Sequence, residues 1–150
     1  MTHLYQADAA REVRERIERL TAASERRWGR MTPAQAMAHC AVGMEWAVGD
    51  ARPPRMFVGR LLGEMVKRKV VGDDAPLGRN SPTAPEMVVS DARDLERERA
   101  RLLALLDRFV ASGPAQCTSH PHSFFGPMTP EECATLSYKH LDHHLRQFGV

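Results

Sequence analysis

The sequence predicts an all-α protein, a four-helix bundle with a long crossover between its second and third helices. Alanine, leucine, arginine and glutamate are abundant, and aromatic residues make up only 6% of the chain, a composition that favours helices. Apolar residues recur every three or four positions in four stretches of similar length, which indicates four helices that each bury one face. The 150 residues are predicted to form one domain, residues 1–150.

The first two helices are predicted in the N-terminal third of the chain. The first covers residues 8–23, where apolar residues stand at helical spacing among charged ones. The second begins in the motif MTPAQ, in which Thr32 is the N-cap, Pro33 takes the first helical position and Gln35 completes a capping box. Residues 36–48 are apolar nearly all round the helix, so this helix is expected to be central and buried.

A long excursion separates the second and third main helices. Residues 56–70 have helical periodicity, and residues 71–89 are rich in proline, glycine and aspartate, which predicts an irregular surface crossing. The third main helix is predicted at residues 91–112 with Ser90 as its N-cap. The apolar residues that give the excursion its helical pattern are Phe57, Leu61, Leu62, Met65 and Val66.

The last helix begins in a second copy of the same start motif, MTPEE, with Thr129 as the N-cap. His140 and His144 fall one turn apart inside its apolar arc, so both rings should point inward. His143 sits on the boundary of that arc. Asp142 lies on the narrow polar arc opposite and is expected to point to solvent.

A third inward histidine helps to choose the helix order. His39 lies about 10 Å into the second helix, whereas His140 and His144 lie about 16 and 22 Å into the last one. If these two helices are each about 25 Å long, have flush ends and run antiparallel, His140 lies at about the same depth as His39, and His144 lies one turn away. That arrangement requires the second and third helices to be parallel, which is the order up-down-down-up with a crossover.

These three histidines are predicted to bind a metal ion. Two inward imidazoles at i and i+4 can reach one divalent ion from the same face, and each buried imidazole needs a polar partner. Three neutral imidazoles with open positions are typical of a catalytic-type site for Zn²⁺ or Ni²⁺. The pattern is not HExxH, because Asp142 does not replace the glutamate, so a zinc protease is disfavoured. The predicted ligands are His39, His140 and His144.

Charge, cysteines and hydropathy exclude other classes of protein. A net charge of +2 from 21 basic and 19 acidic residues is too balanced for a nucleic-acid binder of this size. Three cysteines without a CxxC pair indicate a reduced, cytoplasmic setting. No apolar run approaches the roughly 18 residues of a membrane span, and the N-terminal residues lack the layout of a signal peptide. Neither nucleic acid nor membrane is expected as a partner.

Three blocks of the sequence together resemble the DinB-like superfamily, more narrowly an uncharacterised branch of it. They are WGRMTPAQAMAHC, HPHSFFGPMTPEE and KHLDHHLRQFG. The resemblance implies an up-down-down-up four-helix bundle and a metal held by one histidine of helix 2 and an HxxxH pair of helix 4, which are His39, His140 and His144 here. It also implies kinship with metal-dependent thiol transferases and isomerases that use low-molecular-weight thiols such as bacillithiol or mycothiol.

The function predicted from the sequence is therefore a metal-dependent transferase or hydrolase acting on a small molecule, for which a low-molecular-weight thiol is one candidate. An open-faced ion would lower the pKa of a bound water or thiol. The alternative is a non-catalytic bundle, a homodimer or partner-binding protein, in which the metal is structural or vestigial. No general base is predicted near the site. Residues expected in the second shell or the pocket are Gln35, His120, His122, Phe124, Phe125 and His143.

Overall fold

The computed structural model describes all 150 residues and contains five α-helices and no β-strand. The all-α class predicted from the sequence is confirmed. None of the helices combines the length and the apolar character needed to cross a membrane. Short 3-10 turns lie at Pro85–Met87 and Pro114–Gln116. The helices are α1 (Ala7–Arg19), α2 (Pro33–Val48), α3 (Phe57–Val70), α4 (Leu95–Ser112) and α5 (Pro130–Gln147).

The two MTP motifs start α2 and α5 as predicted. Thr32 Oγ1 accepts a hydrogen bond from the Gln35 amide at 3.2 Å, and the Gln35 side chain accepts one from the Thr32 amide at 3.0 Å. Thr129 and Glu132 form the same reciprocal pair at 3.2 and 2.8 Å. Each capping box satisfies two backbone amides that the first turn of a helix leaves free.

Two other helix ends differ from the prediction. α1 ends at Arg19 rather than at residue 23, because Thr21 and Ser24 hydrogen-bond to each other in a turn. α4 begins at Leu95, and its N-cap is Asp94, whose carboxylate accepts from the Arg97 amide at 2.7 Å. Ser90 is therefore not the cap. Asp and Ser are both good N-caps, so the sequence pattern alone does not choose between them.

The hydrophobic core is built by α1, α2, α4 and α5. α2 and α5 are antiparallel, because His39 of α2 contacts His144 of α5 while Gly43, one turn later, approaches His140, one turn earlier. Glu45 of α2 pairs with Arg101 of α4, and Asp50, just after α2, pairs with Arg108 further along α4. The fully buried side chains of this core include Val13, Ile17, Met37, Cys40, Leu102, Leu106, Leu141 and Leu145.

α3 lies in the connection between α2 and α4, and most of its large apolar side chains face outward. Phe57 is 76% exposed, Leu61 70% and Met65 65%, so the stripe predicted from periodicity is not a core face. The opposite side of α3 is pressed against the backbone of Phe124, where only glycine fits: a Cβ on either Gly59 or Gly63 would clash with the Phe124 carbonyl oxygen. Periodicity shows that one face of α3 is more apolar than the other. Here the face that packs against the rest of the protein is the one that carries Gly59 and Gly63.

The polar arc of α5 is buried, which overturns the expectation that Asp142 points to solvent. Asp142 is 6% exposed and pairs with Arg16 of α1 at 2.8 Å and with Arg146 at 2.8 Å. Lys139 is also buried and donates to the carbonyl oxygens of Val70 and Asp73. α1 supplies the interhelical counter-charge of Asp142, and residues 70 and 73 supply the partners of Lys139. A helical wheel of α5 alone contains none of these groups.

Candidate metal centre

The three predicted ligands come together between α2 and α5. His39, His140 and His144 (the histidine cluster) each offer a ring nitrogen, and these nitrogens lie within 4.8 Å of one another. The ring centroids are 4.7 to 5.0 Å apart and the planes are steeply inclined. His39 Nε2 and His140 Nε2 are 2.8 Å apart. The antiparallel register of α2 and α5 places the HxxxH pair opposite the single histidine.

Two of the rings are oriented by hydrogen bonds at their outer nitrogens. Nδ1 of His39 lies 2.8 Å from the carbonyl oxygen of Met87, and a carbonyl only accepts, so Nδ1 carries the proton. Nδ1 of His144 lies 2.8 Å from Oε1 of Gln147, whose amide nitrogen is fixed by the Trp28 carbonyl at 2.8 Å. In both neutral rings the proton is on the outer nitrogen. The Nε2 lone pair of each of these two rings is thus directed into the cluster, where that of His39 faces Nε2 of His140 at 2.8 Å.

The third ring owes its place to a glycine. A Cβ built on Gly43 of α2 would lie 3.1 Å from Nδ1 and 3.2 Å from Cε1 of His140. Such contacts are tighter than a side chain normally tolerates, so a larger residue at this position would displace the imidazole. Gly43 therefore lets the His140 ring lie directly against the backbone of α2.

Burial keeps the cluster uncharged. Desolvation lowers the pKa of His39, lowers the pKa of His140 well below its ordinary value and lowers that of His144 to about 3. The neighbouring imidazoles add a repulsive contribution at His140 and His144. Neutral imidazole is the form that binds a metal ion. No carboxylate compensates the cluster: Glu45, the nearest acidic residue along α2, is paired with Arg101 at 2.6 Å.

These residues fit a divalent transition-metal ion. The donor set is three imidazole nitrogens, which suits zinc and nickel and not calcium or magnesium. Hydrogen bonds at the outer nitrogens of His39 and His144 are the second-shell arrangement found for metal-binding histidines. A fourth protein ligand is not present within the cluster. An ion held by these residues would therefore keep open coordination positions.

A large cavity opens beside the histidine cluster. Its volume is about 1330 Å³, and all three histidines line it. Its walls come from α2, α3, α5, the 77–90 stretch and the loop before α5. Most of the surface that faces the cavity is apolar, and Arg30 is the only lining residue with a formal charge. We call this space the central cavity.

The other residues singled out from the sequence also line the central cavity, but they contact different partners. Gln35 uses its side chain for the Thr32 amide and the Asp91 carbonyl, so it does not orient an imidazole. His143 packs its ring edge against Trp28, with centroids 5.6 Å apart. His120 Nε2 lies 2.9 Å from the Pro53 carbonyl oxygen.

The loop before α5 carries His122, Phe124 and Phe125 into the cavity wall. Nδ1 of His122 accepts hydrogen bonds from the amides of Phe124 and Phe125, both at 3.2 Å. The His122 ring packs against Phe125 and against Trp46 of α2, with centroids 4.8 and 5.7 Å apart. Burial lowers the pKa of His122 to about 4, so the ring is neutral at physiological pH.

Sequence reasoning missed three groups that shape the cluster: the Met87 carbonyl, the Gln147 side chain and Gly43. Gln147 could have been found, because it lies three residues after His144 and faces the same side of α5. Gly43, a glycine inside an apolar helix one turn after His39, was a signal of close approach by another group. No pattern pointed to the Met87 carbonyl, since it is a backbone group 48 residues from His39.

Comparison with known proteins gives one match. No curated protein and no solved structure matches the chain. A family model described as "Protein of unknown function (DUF1569)" matches residues 3–149. Since this match spans nearly the whole chain, the protein belongs to the DUF1569 family.

Proposed function

We propose that this protein binds one Zn²⁺ or Ni²⁺ ion through His39, His140 and His144 and uses it as a metal-dependent enzyme on a small molecule. The observation that carries the proposal is the orientation of the rings: hydrogen bonds at Nδ1 of His39 and His144 direct the Nε2 lone pairs of both rings into the cluster, where Nε2 of His39 lies 2.8 Å from Nε2 of His140. The ring nitrogens of all three histidines lie within 4.8 Å of one another, a spacing at which one divalent ion can bind them.

The bundle order supports the same proposal. We propose the order up-down-down-up for α1, α2, α4 and α5, with residues 49–94 as the crossover. The ion pairs Glu45–Arg101 and Asp50–Arg108 support parallel α2 and α4, because both partners advance together along their helices. This order and the three-histidine site are what the resemblance to the DinB-like superfamily implies, and on them we extend the proposal to membership of that superfamily.

The reaction we propose is transfer or hydrolysis with a thiol or water as nucleophile. A divalent ion bound there would act as a Lewis acid and favour the deprotonated form of such a nucleophile. The chain's own residues orient the site: Met87 and Gln147 hold two ligand rings in place. The mainly apolar cavity wall gives the reacting groups a less polar surrounding than bulk water. A low-molecular-weight thiol is a candidate substrate.

The proposal is tested by metal content and then by activity. Elemental analysis after supplementation with Zn²⁺ or Ni²⁺ should give about one equivalent for the wild type and less than about a tenth for His39→Ala. Cys40→Ala is the matched control: it is the next residue, fully buried and outside the cluster, and it should keep the metal. A screen with thiols and electrophilic acceptors follows on the loaded protein. A wild type that takes up no metal would refute the proposal.

A second candidate is a homodimer whose metal site is structural or vestigial. It is favoured by the exposed apolar stripe of α3, in which Phe57, Leu61 and Met65 are each at least 65% exposed, since apolar patches of this kind often mark an interface. Sedimentation velocity of the wild type and of Leu61→Glu tests it. A monomeric wild type at all concentrations would exclude the homodimer.

A further inference from the structure

The residues that line the central cavity suit one class of ligand. We propose that it binds an uncharged, largely apolar small molecule, and that the Nε2–H of His122 donates a hydrogen bond to an acceptor oxygen or sulfur of that molecule. The inference rests on the proposed function, because it assigns the substrate class of the same metal centre.

The cavity wall disfavours charged ligands. Its lining contains no aspartate, glutamate or lysine, and its only arginine is Arg30. A carboxylate moved from water into the metal-free cavity loses hydration that only the exposed Arg30 could offset. The volume of about 1330 Å³ exceeds that of most pockets for drug-sized ligands, which are about 300–1,000 Å³, so a molecule larger than a simple thiol is accommodated. Phe124, Phe125 and Val66 supply apolar wall from two different segments.

His122 offers one fixed donor in this apolar wall. Its Nδ1 accepts from two backbone amides, so in the neutral ring the proton is on Nε2. Nε2 contacts no protein acceptor, and it is not among the polar atoms sealed from solvent. The backbone pairing of His122 with Gly126, at 2.9 and 3.0 Å, holds the turn that carries it. A rigid donor that the protein leaves unpaired beside a cavity is positioned for a ligand acceptor.

Binding is measured on metal-stripped protein with Nile red, an uncharged apolar dye, and with competitors of matched length. We expect 2-decanone to displace the dye more effectively than decane, by about threefold to tenfold, because one hydrogen bond is worth that factor. Decanoate should compete less well than 2-decanone. Failure to bind Nile red, equal competition by decanoate, or equal competition by decane would each overturn the proposal.

Two pairs of variants assign the binding to this cavity and this donor. Val66→Trp fills the cavity, whereas Met65→Trp places the same side chain one residue away on the exposed face of α3. Only Val66→Trp should weaken dye binding, by about tenfold or more. If Val66→Trp fails to fold, Leu77→Trp, which also lines the cavity but lies outside any helix, replaces it. Equal loss in Met65→Trp, or no loss in the cavity variant, would refute the assignment.

The second pair of variants tests the hydrogen-bond donor. His122→Asn keeps an acceptor for the Phe124 and Phe125 amides but removes the Nε2 donor. His122→Gln restores a donor near the Nε2 position. The preference for the ketone over the alkane should vanish in His122→Asn and return in part in His122→Gln. An unchanged preference in His122→Asn would overturn the role of His122. Metal uptake is measured separately: protein that loads metal but does not bind the dye refutes this inference alone, and protein that binds the dye but takes up no metal refutes the proposed metal function alone.

Discussion

Replacing His144 and His143 by alanine distinguishes a proposed metal ligand from its neighbour. His144 is 7% exposed, belongs to the cluster and has its Nδ1 fixed by Gln147. His143 is half-buried and stacks edge-on against Trp28. We expect His144→Ala to abolish metal binding, because two imidazoles hold an ion poorly. His143→Ala should leave about one equivalent bound.

The size of the effect follows from mass action. A metal present at about 100 times its dissociation constant stabilises the native state by about 2.7 kcal/mol. For a domain of this length, 1 kcal/mol shifts the melting temperature by about 2–4 °C, so EDTA should lower that of the wild type by about 5–11 °C. His143→Ala loses an aromatic contact of about 0.5–1.5 kcal/mol but should keep the EDTA response. His144→Ala should melt at the same temperature with and without EDTA.

Thermal unfolding of the three proteins, each with metal and with EDTA, checks this prediction. The decisive quantity is the difference between the two melting temperatures of one variant, since the direct cost of each substitution cancels in it. A metal-replete wild type that is indifferent to EDTA after long incubation would show that the histidines are only core residues. A normal EDTA response in His144→Ala would show that the ion is bound elsewhere.

Three further outcomes follow from the same contacts. Gly43→Ala should weaken metal affinity about tenfold by displacing the His140 ring, while in the metal-free protein a gain of up to about 1 kcal/mol in helix propensity offsets the cost of moving that ring. The metal-free protein should lose stability as the pH falls from about 6.5 toward 3, because the pKa of His144 is lowered to about 3 and the unfolded chain then binds more protons. Arg16→Met should cost about 3 kcal/mol by leaving Asp142 buried without its interhelical partner.

Each of these outcomes has its own measurement. Isothermal titration calorimetry with the metal ion measures the affinity of Gly43→Ala, and an affinity equal to that of the wild type would contradict the steric argument. Urea unfolding in EDTA at several pH values checks the titration, and greater stability at pH 5 than at pH 7 would contradict its sign. For Arg16→Met the control is Arg11→Met, whose ion pair with Asp8 is exposed and should contribute little. Equal costs for the two arginines would contradict the burial argument.

Local signals in the sequence predicted the starts of α2 and α5, because a cap and its partner lie within three residues. Thr32 and Thr129 are examples, and both capping boxes are present. That the three histidines come together was predictable as well. Periodicity indicated that His140 and His144 point inward, and the number of residues between each histidine and its N-cap indicated that His39 lies at the same depth in the bundle. Both arguments need only the geometry of a helix.

Features that depend on distant parts of the chain were not predictable in this way. Asp142 is buried because Arg16, 126 residues earlier, approaches it from α1, and nothing in the sequence of α5 contains that partner. α3 shows its apolar stripe to solvent because Gly59 and Gly63 bring its other side onto the Phe124 backbone. A periodic pattern identifies a face but does not identify what covers it.

The hydrogen bond from His39 to the Met87 carbonyl has a consequence for cooperativity. Met87 belongs to the connection between α2 and α4, so a group that lies far along the chain fixes the ring of one proposed ligand. Docking of the 71–94 segment and binding of the proposed metal ion are therefore thermodynamically linked. If docking strengthens metal binding by a given factor, a bound ion strengthens docking by the same factor. On the proposed metal function, substitutions within this connection are expected to change metal occupancy without altering a ligand.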